Sequence, residues 1–376
     1  MIKLRYFCCI FLLSFFCCKK PYNPRIIATS TNYLVVEGVI NSGTDTTVIK
    51  LSRTVNVNSK TTTNPEYGAF VKIEDNQGNT WQLIEQSPGK YVSAGVLNLS
   101  SSQKYQINIA TTDGEQYQSD FVVVKPTPSI DSVGYFIQNG GVQLYISTHD
   151  ATNNTRYYRW EYDETWKFHT KYGAAYIVDT INKTINLRSI DQQISTCFGN
   201  DVSPNILLSS TSNLTSDIIG HYSLTNVALT SEKLEDKYSI LVKQYALSQE
   251  AYQYYFFLKR NTEELGSLFD AQPSQLTGNI HCVTDASKIA IGYITATNVQ
   301  AKRIFILNSQ LPDTMTIYPY SCEIDTAFGD EAKTIFLIPP YNDVPIGLSP
   351  KGYLYSSVQC ADCTIRGTTK TPSFWK

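Results

Sequence analysis

The sequence lacks long apolar runs and has no excess of one charge. None of its 376 residues lies in an unbroken apolar stretch of the about 20 residues that a membrane-spanning helix needs. Its 31 basic and 33 acidic residues give a formal net charge of −2, and no run of like charges indicates a nucleic-acid partner. We therefore expect a water-soluble body that does not bind nucleic acid.

The motifs of metal, nucleotide and nucleophile chemistry are missing too. The sequence has 4 histidines, and none of them stands in an H-x-H, H-x-x-x-H or H-E-x-x-H pattern. There is also no D-x-D-x-D-G calcium loop, no G-x-S-x-G nucleophile elbow and no glycine-rich phosphate loop. These absences predict no metal ion, no cofactor and no catalytic residue.

The paired acids Glu161 and Asp163 leave one catalytic alternative open. In a strand they would project from one face, roughly 6.6 Å apart at about 3.3 Å per residue. Two carboxylates at such distances serve glycoside hydrolases. The other interpretation, which we adopt, is a solvated face on which Arg159 and Lys167 balance the acids.

The N-terminus has the features of an export signal. Lys3 and Arg5 precede the mostly apolar residues 6–16, a run that is typical of the h-region of a signal peptide. The run ends at Cys17 and Cys18. This arrangement resembles the lipobox of bacterial lipoproteins, in which the signal is cut just before a cysteine that takes a diacylglyceryl group.

We predict lipidation at Cys18 rather than at Cys17, because cleavage before Cys17 would place the bulky Phe16 at the −1 position. The prediction gives a signal peptide over residues 1–17 and a lipidated tether over residues 18–32. More than one acyl chain, palmitate included, anchors a protein stably. The tether begins with basic rather than acidic residues, which favours the periplasm-facing leaflet of the outer membrane over the cell surface.

The mature chain has two β-rich parts. Residues 33–125 contain short alternating or β-branched runs that are separated by turns such as the one at 76–79. This spacing predicts an immunoglobulin- or transthyretin-like β-sandwich. Two prolines within residues 125–129 prevent a central strand from running through and indicate a boundary. Residues 130–376 are predicted to form a second, larger β-rich domain, fibronectin-like or related.

Two segments interrupt the β pattern of the second part. An amphipathic helix is predicted over about residues 248–265, because Ser248 can cap it and apolar residues follow at helical spacing. We expect the apolar stripe of this helix to pack on a sheet. Residues 310–350, rich in Pro, Asp and Tyr, are predicted to be long surface loops.

The most regular strand pattern lies in residues 157–172, where aromatic side chains alternate with charged ones. We interpret the aromatic face as core, since strict alternation is typical of a strand with one buried face. A gap at Asp163 and Glu164 predicts a bulge or bend. The alternative is an exposed shelf that stacks on a sugar or peptide, and Tyr157 and Tyr176, which lie off the aromatic face, are the candidates for ligand contact.

Cys360 and Cys363 form a C-x-x-C motif. The β-branched Thr364 and the nearby Gly367 disfavour the helix that a redox-active motif needs, and an oxidising envelope favours disulfides. The two thiols either close a tight loop with each other or each pair with a distant cysteine. The distant candidates are Cys197, Cys282 and Cys322.

Eight ordered motifs carry a family resemblance: LVVEGVI (34–40), PEYGAFVKIED (65–75), PTPSIDSV (126–133), YYRWEYDETW (157–166), YSILVKQYALSQEAY (238–252), GSLFDAQPSQLTGNI (266–280), IGYITATNVQAKRIFI (291–306) and CADCTIRGTTKTPSFW (360–375). Over nearly all of the mature chain they resemble the Bacteroidota lipoprotein family known as domain-of-unknown-function family 4249. The resemblance implies an envelope lipoprotein, often encoded near TonB-dependent outer-membrane receptors. It implies no catalytic residue.

Together these features predict a non-catalytic lipoprotein of the outer membrane that acts as a binding or scaffold protein beside a TonB-dependent receptor. A glycan or a peptide is the expected ligand. Two alternatives are a hydrolase of glycans or peptides that uses paired carboxylates, and a purely structural envelope lipoprotein.

Overall fold

The computed structural model describes residues 32–55, 64–263, 276–312, 318 and 320–375. The predicted signal peptide, Cys18 and the tether up to residue 31 lie outside the described residues. Within the described ranges the protein is mainly β, as predicted. None of the helices in these ranges combines the length and the apolar character that a membrane crossing requires.

The strands are numbered along the chain. The N-terminal part contains β1 (Leu34–Asn41), β2 (Val48–Arg53), β3 (Phe70–Asp75), β4 (Thr80–Ser87), β5 (Lys90–Ser93), β6 (Lys104–Ala110), β7 (Gln116–Ser119) and β8 (Val122–Lys125). Then follow β9 (Ile130–Gln138), β10 (Gly141–His149), β11 (Tyr157–His169), β12 (Tyr176–Asp179), β13 (Thr184–Leu187), β14 (Thr196–Val202), β15 (Leu207–Ser210), β16 (Ile218–Ala228) and β17 (Lys237–Ala246). The last are β18 (Ile280–Cys282), β19 (Ala290–Ile291), β20 (Thr295–Thr297), β21 (Gln300–Leu307), β22 (Asp325–Ala327), β23 (Asp343–Ser349) and β24 (Gly352–Ser357).

In the part of the chain that the structure describes, the helices are short apart from one. They are α1 (Gln249–Glu263), α2 (Glu331–Leu337) and α3 (Val358–Ala361), with 3-10 turns at Ile190–Gln192, Glu232–Leu234, Asn308–Gln310 and Cys363–Ile365.

The first sheet closes into a ring, which we call the N-terminal ring. Its strands follow the order β6-β3-β4-β5-β2-β1-β20-β8, and β8 pairs again with β6. Val71 and Ile73 of β3 are fully buried in its core, whereas Lys72 between them is not, as the two-residue period of a strand requires. The arrangement is barrel-like. The immunoglobulin- or transthyretin-like layout stays a prediction.

Strands from residues 280–297 complete the N-terminal ring, although the sequence boundary assigned them to residues 130–376. β20 lies parallel between β1 and β8, with Ala296 opposite Ile40 and Val124. β18 extends the sheet beyond β7, and β19 pairs with β1. The parallel partners need a long crossover connection, and β18, although antiparallel to β7, lies far from it in sequence, so these pairings leave no local sequence signal. The ring is therefore not contiguous in sequence.

The proline-containing linker is bound on both sides. The Thr127 hydroxyl, in a residue that is 5% exposed, shares a hydrogen bond of 2.5 Å with the Thr297 hydroxyl of the ring. It also accepts a hydrogen bond of 3.0 Å from the backbone N–H of Ala246 in β17. The Thr127 N–H donates to Asn298 Oδ1 at 2.6 Å. The linker is thus a fixed joint between the ring and the sheets that follow.

Two sheets pack face to face after the linker, and we call them the sandwich. β9, β10 and β16 form a three-stranded sheet, while β14, β11, β17 and β21, with β15 beside β11, form a five-stranded one. The arrangement is sandwich-like, and the fibronectin-like layout stays a prediction. The two facing sides share a core that includes Val142, Leu144, Ile146, Tyr158, Trp160, Phe168, Tyr238 and Val242.

The aromatic face of β11 is buried in this core, which confirms its interpretation from the sequence. The buried side chains are those of Tyr158, Trp160, Tyr162, Trp166 and Phe168. The shelf interpretation of this face is therefore wrong, because the three-stranded sheet covers it.

The predicted bulge near Asp163 and Glu164 is wrong. β11 pairs with β17 without a register shift through this point. The buried Glu164 itself fills the gap in the aromatic row, where it accepts hydrogen bonds from Tyr238 Oη at 2.6 Å and Lys233 Nζ at 2.7 Å. Two donors satisfy the carboxylate, so the strand can stay regular.

Helix α1 occupies the predicted segment, and its Ala251 and Tyr254 are buried. Phe256 of the same helix is 41% exposed. The prediction of long loops over residues 310–350 is wrong, because β22, α2 and β23 lie there and β24 completes a small sheet. Phe336 of α2 fills the core of this sheet, which tertiary packing rather than local pattern stabilises.

Candidate functional site

The two tyrosines predicted for ligand contact pack against other rings. Tyr157 is half-buried and lies against Tyr252 of α1, with ring centroids 5.0 Å apart. Tyr176 is half-buried and meets Tyr353 edge to face, with ring centroids 5.3 Å apart. Because they belong to different sheets, the structure does not bring them into one site.

The acids Glu161 and Asp163 project from the outer face of the five-stranded sheet, and each has its own cation. Glu161 pairs with Arg159 and accepts a hydrogen bond from Tyr245 Oη at 2.8 Å, whereas Asp163 pairs with Lys243 at 2.7 Å. Burial raises the pKa of Glu161, but Arg159 and Tyr245 outweigh burial and lower it. A hydrolase needs one acid with a raised pKa, so the geometry does not favour catalysis by Glu161.

Cys360 and Cys363 do not bond to each other. Cys360 pairs with Cys322, and Cys363 pairs with Cys197 of β14. Of the two alternatives, the structure therefore shows pairing with distant cysteines. Cys282 is a free, buried cysteine in β18. The two bonds fasten the C-terminal segment to β14 of the sandwich and to the segment that precedes β22, which is a structural role.

Three of the histidines lie against single carboxylates. The pairs are His149 with Asp131, His169 with Glu235, and His281 with Asp120. Over the ranges that the structure describes, no three His, Cys, Asp or Glu side chains are grouped to hold a metal ion.

The outer face of the three-stranded sheet carries an aromatic surface that the sequence interpretation missed. Tyr145 of β10 lies opposite Gly134 of β9. A Cβ atom on Gly134 would lie 2.5 Å from Tyr145 Oη, so the tyrosine ring crosses the strand where no side chain stands. A ring laid over a cross-strand glycine is held against the sheet, which fixes its orientation.

Phe136 and His221 extend this ring, and we call Phe136, Tyr145 and His221 the aromatic shelf. Phe136 is 42% exposed and lies at 28° to Tyr145, with ring centroids 5.9 Å apart. The exposed His221 meets Tyr145 edge-on, with ring centroids 4.3 Å apart. The φ of His221 is +49°, a strained value for a residue with a side chain, and its N–H donates to Ser147 Oγ at 3.0 Å.

Neutral polar side chains border the aromatic shelf. Gln143, two residues before Tyr145 on the same face, donates from Nε2 to Ser223 Oγ at 2.7 Å. Asn226 Nδ2 donates to Gln143 Oε1 at 3.4 Å. Ser223 and Asn226 are exposed. Amides and hydroxyls both donate and accept, so this border offers hydrogen bonds without adding charge.

A shelf of this kind suits a flat, uncharged and hydroxylated ligand. The C–H faces of a pyranose ring can lie on Phe136 and Tyr145, while its hydroxyl groups reach the border. The sequence contains an indication of this shelf. Gly134 and Phe136 are two residues apart on one strand, and Gln143 and Tyr145 are two residues apart on the next, so each pair lies on one face of its strand. The sequence analysis instead chose Tyr157 and Tyr176 as candidates for ligand contact, because the aromatic pattern of β11 is longer.

A family model described as Domain of unknown function (DUF4249) matches residues 19–303. No curated protein matches the sequence. Among solved structures, the chain is similar to a Bacteroides uniformis protein, provisionally described as carbohydrate binding, at 12% identity and a TM-score of 0.17, over 57% of this chain and 90% of that one. It is also similar to a chitinase from Bacillus thuringiensis at 13% identity and a TM-score of 0.15, over 50% of this chain and 30% of that one. At TM-scores this low, neither similarity indicates a shared fold or function.

Proposed function

The chain belongs to the DUF4249 family, and since that description assigns no activity, we propose a function from the protein's own surface. The protein binds a neutral glycan on the aromatic shelf and does not cleave it. The observation that carries this proposal is the nearly parallel pair of Phe136 and Tyr145 rings beside the amide border of Gln143 and Asn226.

The surroundings of the shelf favour a glycan over an anion or a peptide. The border groups carry no charge, so they offer nothing specific to a phosphate or a carboxylate. β10, which bears Tyr145, is the central strand of its sheet, and both of its backbone edges are already paired. A peptide therefore cannot add to β10 as a further strand beside Tyr145, and strand addition would have to use the outer edge of β9 or β16.

The position of the two candidate acids supports binding without cleavage by them. Glu161 and Asp163 lie on the outer face of the five-stranded sheet, whereas the aromatic shelf lies on the outer face of the three-stranded sheet. Because the sheets pack through their inner faces, these two outer faces point in opposite directions. The acids cannot reach a glycan on the shelf.

The leader sequence extends the proposal to a place in the cell. Lipidation of Cys18 would anchor the protein to the outer membrane, in the periplasm-facing leaflet. There it would act as a binding or scaffold protein of a TonB-dependent receptor and would hold the glycan beside it. These points are supported by the leader sequence and by the resemblance to a Bacteroidota lipoprotein family.

The first prediction concerns the shelf itself. An array of neutral oligosaccharides would identify the strongest ligand, and calorimetry would give its affinity. We expect Tyr145→Ala to weaken binding about thirtyfold, since a central aromatic contact contributes about 2 kcal/mol. Tyr176→Ala is the matched control, because it removes a half-buried tyrosine from another sheet, and it should bind as the unmodified protein does.

A second variant tests the geometry without removing a ring. Gly134→Ala places a methyl group beneath Tyr145 and should weaken binding while circular dichroism stays unchanged. If Tyr145→Ala and Gly134→Ala bind the glycan as tightly as the unmodified chain, the shelf is not the site. Release of shorter oligosaccharides would instead favour the hydrolase alternative, and an array without any ligand would favour a purely structural role.

A further inference from the structure

A cavity of about 380 Å³ lies in the N-terminal ring, far in sequence from the aromatic shelf. The loop between β18 and β19 forms one wall and contributes Asp285 and Lys288. Arg53, Glu115 and Tyr117 line the same cavity. The proposed glycan function uses none of these residues.

The guanidinium group of Arg53 already has hydrogen-bond partners within the protein. Its side chain is 6% exposed, and it bonds Glu66 at 2.6 Å, Glu115 at 3.1 Å and the Asn32 carbonyl oxygen at 3.3 Å. Burial lowers the pKa of Arg53, but the hydrogen bonds to Glu66 and Glu115 outweigh burial and raise it. This guanidinium is therefore fixed in place and is not available to an anionic ligand.

Glu115 divides its two oxygen atoms between different partners. Oε2 accepts hydrogen bonds from Tyr117 Oη at 2.6 Å and from Arg53 Nη1 at 3.1 Å. Oε1 accepts a hydrogen bond from Lys288 Nζ. Burial raises the pKa of Glu115, but Lys288, Tyr117 and Arg53 outweigh burial and lower the pKa to about 2, so the carboxylate is charged. Two buried groups fix Oε2, while Oε1 holds an ammonium group.

Lys288 differs from the other partners of Glu115, because it is flexible and half-exposed. Its side chain is 46% exposed and belongs to a loop of exposed residues, whereas the side chain of Glu115 is 12% exposed. An extended lysine side chain loses up to about 2 kcal/mol of rotamer freedom when it is held in one place. The ammonium of Lys288 can therefore leave Oε1 at low cost if another ammonium takes its place.

We propose that Glu115 Oε1 recognises the ammonium group of a small aliphatic primary amine, and that Lys288 occupies this position when the amine is absent. Without Lys288, the carboxylates of Glu66, Asp113 and Glu115 share one cation, Arg53, so the vacated site favours a second cation. The lysine side chain is itself an aliphatic primary amine, and its position shows that the cavity accommodates such a group.

n-Butylamine is the probe, because it reproduces a lysine side chain from Cβ to Nζ. Calorimetry with the full-length chain should show that Lys288→Ala binds n-butylamine about tenfold more tightly than the unmodified protein, since the internal competitor is gone. Lys288→Gln, which keeps most of the side-chain length without the charge, should give an intermediate affinity. n-Butanol, equal in length but uncharged, should bind neither protein.

Lys333→Ala is the matched control, because Lys333 is also an exposed lysine that pairs with one acid, Asp330, at 2.8 Å. It lies in α2, outside the cavity, and should bind n-butylamine as the unmodified protein does. Equal affinity in Lys288→Ala and the unmodified protein would overturn the proposal, as would binding of n-butanol to Lys288→Ala. Neither result depends on the glycan test, since the two sites share no residue.

Discussion

Gln244 connects the linker to both sheets of the sandwich through one buried amide. Its Nε2 donates to the Pro128 carbonyl oxygen at 2.8 Å and to Thr148 Oγ1 at 3.0 Å. Its Oε1 accepts from Trp160 Nε1 at 2.9 Å. Thr148 belongs to β10 and Trp160 to β11, so the amide fixes the linker against one strand of each sheet. A fully satisfied polar group of this kind specifies one arrangement of the core.

Replacement of this amide tests its contribution. Gln244→Leu keeps the approximate volume but leaves Trp160 Nε1 and the Pro128 carbonyl without their partner, and each buried unsatisfied group costs about 1–3 kcal/mol. We expect the free energy of unfolding, measured by urea denaturation, to fall by about 3 kcal/mol. Gln138→Leu, at the exposed end of β9, should change it by less than about 0.5 kcal/mol. Equal urea midpoints for the two variants would contradict the role of Gln244.

The alternating pattern of β11 predicts the burial of some of its residues but not of all of them. Alternation identified Trp160 and Phe168 as core residues, because burial of one strand face depends on period alone. The same alternation did not predict the burial of Glu164, although Glu164 lies on the same face of β11 as the aromatic residues. Its burial depends on Tyr238 and Lys233, which come from other parts of the chain and supply the donors.

At the scale of the element, β20 is short but central. Its three residues lie between β1 and β8, and Ala296 is 2% exposed there. Without β20, β1 and β8 would each have an unpaired edge, which invites aggregation. The β-branched sequence around β20 predicts a strand, but not its place between β1 and β8, since parallel partners are joined by a long connection and leave no local signal.

Two alanines allow a matched test of the ring closure. Ala296→Asp places a charge in the buried core of the ring, whereas Ala301→Asp places one at an exposed position of β21. A buried unpaired charge costs several kcal/mol, so we expect amide exchange in β1 and β8 to accelerate at least about a hundredfold in Ala296→Asp only. The same exchange rates in both variants would show that β20 does not hold the ring closed.

The aromatic strands also differ at this scale. β11 carries a row of aromatic residues with a period of two, whereas β10 carries the single Tyr145 in an alternating strand, yet the rings of β11 are buried and Tyr145 lies on an outer face. The pattern alone cannot separate these cases, because it gives the spacing of the rings and not the neighbour that covers them. Packing of the two sheets decided which face became core.

At the scale of the whole molecule, the linker and the returning strands join the ring and the sandwich. Thr127 bonds to both, and residues 280–297 leave the sandwich to complete the ring. We therefore expect the ring and the sandwich to move as one body behind the tether.

The anchor itself is open to a direct test. Palmitate labelling of cells that produce the protein should mark the unmodified chain and not Cys18→Ala, because Cys18 is the predicted acceptor of the acyl chains. Cys17→Ala is the matched control and should remain labelled and in the membrane fraction. Labelling of Cys18→Ala together with loss of label from Cys17→Ala would move the acceptor to Cys17.

The sequence by itself determined the β-rich character, the helix near residues 249–263 and the buried row of β11. These features depend on residue type and on periods of two or about 3.6, which are local properties of the chain. The tertiary structure alone decided the ring closure by residues 280–297, the pairing of Cys360 and Cys363 with distant cysteines, and the aromatic shelf. Each of these joins residues that are far apart in sequence, and no local pattern encodes which distant neighbour a strand, a thiol or a ring will meet.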